Sequence, residues 1–66
     1  MMEERIRIGK RLRELREGQG LTTTQLAEMC DLSHSTISKV ENGRWSVSLD
    51  ILSKICDALG ARVEIV

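Results

Sequence analysis

Sixty-six residues make one domain and leave little chain for anything beyond it. Ten basic and ten acidic side chains cancel to zero net charge, which argues against indiscriminate binding to nucleic acid but not against a local basic surface. One histidine and two cysteines without a CxxC leave no metal or cofactor pattern. With no nucleophile–base set and too little chain for a cleft, an enzyme is a poor third reading and none is expected.

No stretch is long and apolar enough to cross a membrane, and no signal peptide is visible, so a cytoplasmic setting without membrane attachment is expected. A chain this short buries only about 60% of its unfolded surface and commonly needs a staple. Cys30 and Cys56 fall on apolar helical faces and read as reduced core residues. Of the usual staples, oligomerisation is the one left.

The pattern predicts a first helix from about Glu3 or Glu4 to Glu17, with Ile8, Leu12 and Leu15 as its core stripe. Gly9 lies beside that stripe and permits close helix approach. Ile6 projects off it without an evident partner. Six of the ten basic residues lie between Arg5 and Arg16, so the zero net charge hides a basic segment. Gly18-Gln19-Gly20 is the stop.

Two short helices joined by a tight turn are expected next. Thr22 and Gln25 form a capping box for a helix from Thr23 to Met29 or Cys30, with Leu26, Ala27 and Cys30 on one face. Cys30-Asp31-Leu32 breaks the pattern. Ser33 caps a further helix, Ser33 or His34 to Glu41, whose inward side is Ile37 and Val40. Asn42-Gly43 ends it. Ser48 then caps a fourth helix with Leu52, Ile55, Cys56 and Leu59 as its core face, stopped at Gly60. Residues 62–66 alternate apolar and charged residues of β-branched character and read as a short strand.

The stretch Leu21 to Gly43 closely resembles the helix-turn-helix of the phage-repressor family of DNA-binding proteins, the Cro/repressor or xenobiotic-response-element type. Leu21, Thr22, Leu26, Ala27, Ser33, Thr36, Ile37, Ser38, Glu41, Asn42 and Gly43 carry the likeness. It extends on both sides, through Ile8 to Arg16 and through Ser48-Leu49-Asp50 to Leu59-Gly60. The resemblance implies a mainly α, four-helix lambda-repressor-like domain over 1–66, with the helix-turn-helix unit at 22–41. The expected strand at 62–66 takes the place of the family's frequent fifth helix.

The resemblance also implies roles. Helix 33–41 is the recognition helix, entering the major groove N-terminus first. His34, Ser35, Ser38 and Lys39 then face base edges. Thr23, Thr24, Asn42, Arg44 and Arg11 are the phosphate candidates. Arg16 and Glu41 occupy the positions of a largely buried ion pair that ties helix one to the helix-turn-helix unit. Three positions depart from the family: Thr23 where glutamine is usual, Asp31 where glycine is favoured, and Val47 where proline is frequent. Trp45, the one aromatic residue, either packs against helix four or meets DNA or a partner.

The function expected is sequence-specific binding to double-stranded DNA by a transcriptional regulator, a dimeric repressor on a near-palindromic operator. A lone strand leaves its backbone groups unpaired, so Arg62, Val63, Glu64, Ile65 and Val66 are expected to form a two-stranded sheet with a second copy. Two rivals stand beside this reading. One is an antitoxin-type repressor whose tail meets a toxin. The other, favoured by zero net charge and Thr23, is a protein-interaction module that kept the fold and lost DNA binding.

Overall fold

The computed structural model describes residues 2–65, which form α1 (Met2–Gly18), α2 (Thr23–Cys30), α3 (His34–Glu41) and α4 (Leu49–Ala58). Three of the starts are capped by a hydroxyl. Thr22 accepts the Gln25 N–H at 3.1 Å, and its own N–H donates to Gln25 Oε1 at 2.8 Å, closing the capping box. Ser33 and Ser48 accept the N–H of Thr36 and Ile51.

All four helices stop in the same way. The N–H of the residue at a left-handed position, and that of the next residue, bond back to the last turn; Gly20, Gly43 and Gly60 provide that position for α1, α3 and α4. After α2 it falls on Asp31, with φ 57°, and the Asp31 and Leu32 amides bond to Glu28 and Ala27. A short acidic side chain tolerates that backbone, so the turn forms without glycine.

The core is a single cluster. Leu12 of α1, Leu26, Ala27 and Cys30 of α2, Ile37 and Val40 of α3, and Ile55, Cys56 and Leu59 at α4 are all buried. Ile8 and Leu15, expected in the α1 stripe, are only half-buried, as is Leu52. α2 packs on both α3 and α4, and α1 lies across α3. The cysteines are free and buried, and burial pushes both thiols above their ordinary range.

The expected C-terminal strand is overturned. Among the described residues there is no strand, and residues 61–65 run on from α4 without regular structure. Alternation of side chains marks which face could be buried, but it supplies no hydrogen-bonding partner for the backbone, and a single chain offers none. The charged residues of the segment bond each other instead: Arg62 reaches Glu64 at 2.6 Å. Val63 stays partly exposed and Ile65 wholly so. Val66, assigned to the same strand, lies outside the described residues.

Candidate nucleic-acid interface

α3 is held at both ends, which fixes the face it turns outward. At its start, Ser33 Oγ lies 2.8 Å from Thr36 Oγ1 and 3.2 Å from Ser35 Oγ, so the first-turn hydroxyls form one bonded group. At its end, α1 approaches so closely that only glycine fits. A Cβ on Gly9 would stand 2.3 Å from the Val40 carbonyl oxygen and 2.7 Å from that of Glu41. Gly43 meets Ile6 in the same way, with a Cβ there falling 2.9 Å from Ile6 Cγ1. The off-stripe isoleucine is therefore what α1 lays against the turn after α3.

Arg16 ties the same joint from below. Its Nε and Nη2 donate to the two carboxylate oxygens of Glu41 at 2.7 and 3.0 Å, and its Nη1 donates to the Leu21 carbonyl at 2.6 Å. The side chains of Arg16 and Glu41 are 10% and 6% exposed, so this is a buried, two-pronged pair. The hydrogen bond to Glu41 raises the Arg16 pKa further, and the guanidinium stays charged. The Leu21 contact was not foreseen from sequence. It connects the end of α3 to the residue just before the α2 cap.

On the outward face His34, Ser35 and Lys39 are exposed and Ser38 is half-buried, while Ile37 and Val40 point into the core. Positions 34, 35, 38 and 39 therefore make one polar row at helical spacing. Thr24, Asn42 and Arg44 are exposed and Thr23 half-buried, at the start of α2 and in the turn after α3. Asn42 bonds back to α3: its amide nitrogen lies 2.8 Å from the Ser38 carbonyl and 3.3 Å from its hydroxyl.

Arg11 is not brought to this face. It lies roughly 200° around α1 from Gly9. There it lines a groove with Leu12, Cys56 and residues 61–64, and it pairs with Glu14 at 3.4 Å. Much of the basic segment of α1 is neutralised likewise, Arg7 by Glu4 and Arg13 by Glu17. Hydrogen bonding to Arg7 holds the exposed Glu4 carboxyl below its usual range. Trp45 lines a second groove of about 290 Å³, with Ile8, Val40, Val47 and Leu52, and keeps 39% of its surface exposed. Among the described residues no group of three potential ligands could hold a metal ion, and no helix is long and apolar enough to cross a membrane.

Residues 7–64 match the helix-turn-helix domain family. The chain is 38% identical over 60 residues to the HTH-type transcriptional regulator PuuR of Escherichia coli, covering 91% of this chain and 32% of that protein. It is 37% identical over 57 residues to the immunity repressor protein of Bacillus phage phi105, covering 86% and 40%. The crystal structure of the restriction-modification controller protein C.AhdI from Aeromonas hydrophila superposes with a TM-score of 0.87, at 36% identity, over 92% of this chain and 88% of that one. The chain thus spans less than half the length of these two curated relatives.

Proposed function

Since the chain belongs to the helix-turn-helix domain family, of the Cro/repressor type, we propose that it is a sequence-specific regulator of transcription. α3 reads double-stranded DNA through the major groove, and the bound protein acts as a repressor. The observation that carries this reading is the row His34, Ser35, Ser38 and Lys39, outward on a helix capped at its start and clamped at its end. Lys39 bonds acceptors on guanine, and the two serines and His34 read neighbouring positions. Thr23, Thr24 and Arg44 grip phosphates on either side.

Such a reader needs a second copy to span two half-sites about 34–36 Å apart. A homodimer on a near-palindromic operator is therefore part of the proposal. Val63, partly exposed, and Ile65, wholly exposed within one chain, support an interface at that end of the molecule, formed by side-chain packing.

The test is selection of bound sequences from a random DNA pool. An enriched, near-palindromic consensus is expected. Lys39→Ala should relax preference at particular base pairs, by about 1–3 kcal/mol for a good base contact. Arg44→Ala should weaken all sequences alike and flatten the salt dependence by about one phosphate contact. A pool that enriches nothing would leave the fold as a protein-interaction module.

A further inference from the structure

The side chain of Asn42 faces the wrong way for the contact its exposed position invites. Its amide nitrogen donates to the Ser38 carbonyl at 2.8 Å. A carbonyl oxygen only accepts, so this contact settles which end of the carboxamide faces the helix: nitrogen inward, Oδ1 outward. The Asn42 backbone N–H donates to the same carbonyl at 3.0 Å, and Gly43 turns the chain away immediately afterwards. The orientation is therefore built into the end of α3. A DNA phosphate presents only acceptor oxygens, and two acceptors do not bond. With the second amide hydrogen turned to Ser38 Oγ at 3.3 Å, the atom left outward is Oδ1, which has nothing to offer the backbone of a duplex.

The same nitrogen lies 3.3 Å from Ser38 Oγ. A serine hydroxyl has one hydrogen and two lone pairs, and it reads base edges permissively because it can donate or accept. Here one lone pair already receives an N–H from Asn42. The hydroxyl hydrogen and one lone pair remain, and Ser38 stands in the outward row of α3. Asn42 thus takes one of the two accepting positions and biases its neighbour toward donating.

We infer that Asn42 is a positioning residue for base reading: by occupying one lone pair of the Ser38 hydroxyl it biases that group toward donating. Ser38 then selects a base edge that accepts, such as a purine N7, guanine O6 or thymine O4, over the amino groups of adenine and cytosine. This rests on the DNA-reading role proposed for α3, and it moves Asn42 from backbone grip to specificity.

Selection from a random duplex pool with the full chain tests it, comparing the unaltered protein with Ser38→Ala, Asn42→Ala and the double variant. The two single changes should flatten preference at the same base pair, each by about fivefold, and the double variant should lose no more. Binding to unrelated DNA should not change. If Asn42→Ala weakens selected and unrelated DNA equally, or acts at a different base pair from Ser38→Ala, the inference is overturned. A second arm uses the free protein and needs no change at position 42. The Asn42 side-chain amide resonances should exchange slowly with solvent and shift in Ser38→Ala. Amide signals that exchange like those of a free asparagine and ignore Ser38→Ala would sink the contact itself. A pool that enriches nothing for the unaltered protein would overturn the DNA reading, and the specificity role with it, while the amide signals report separately on the contact.

Discussion

The two sides of α1 are built to different standards of closeness. Toward α3 the helix meets main-chain atoms directly at Gly9, and Arg16 is bonded to both Glu41 and the Leu21 carbonyl. Toward α4 and residues 61–64 it borders a groove of about 340 Å³ over half-buried Ile8 and Leu15. The charges that α1 brings to that groove, Arg7 and Arg11, bond only to neighbours on their own helix, and Arg62 and Glu64 bond each other. One side fixes the orientation of the proposed recognition helix and admits little variation. The other leaves apolar surface open where a second protein chain could settle. An arginine–glutamate pair contributes according to which side it is on.

The sharpest way to break the close side is Glu41→Ala. It strands the Arg16 guanidinium in a buried site and should cost about 3–5 kcal/mol. Chemical denaturation measures this. Arg16→Met with Glu41→Leu should lose clearly less than the two single changes summed, because the double variant leaves no unpaired charge. Small, additive losses would mean that water solvates both groups.

Gly9→Ala should rank second, at about 1–3 kcal/mol, since its methyl group must push two carbonyl oxygens away. Gly18→Ala is the matched control. Nothing lies within 4 Å of a Cβ there, so the change should be neutral or stabilise by up to about 1 kcal/mol. Equal effects at the two glycines would show that α1 does not press on α3 as closely as described. At the groove, Arg11→Ala should alter stability by no more than about 0.5 kcal/mol, because an exposed pair on one helix is worth little. A larger loss there would erase the difference between the two sides.

Much of the close side could be read before any coordinates. Thr22 with Gln25, Ser33 and Ser48 announce helix starts through local chemistry, and Asn42-Gly43 announces a stop. The residue types at 16 and 41 name two charges that only the fold brings together. What could not be read depends on three-dimensional partners. The alternation over 62–65 has the pattern of a strand, but pairing needs a second backbone. Ile6 looked unpaired because its contact, Gly43, is 37 residues away and has no side chain to mark it. Arg11 is one basic residue among six in its stretch of sequence, and only the turn of the helix sets it on the groove with Cys56. For Asn42, nothing in the residue's name says which end of its amide faces the helix.

The contact at Gly9 has a consequence for how such a protein can change. It is made by the main-chain oxygens of Val40 and Glu41, which any amino acid would present in the same place. The docking of α1 is therefore indifferent to the side chains on the opposite face of α3. Residues 34, 35, 38 and 39 can be replaced as a set without altering the lever that aims them. In the DNA-reading role proposed for α3, mounting and message would then vary separately, and new targets would need no rebuilding of the scaffold that presents them.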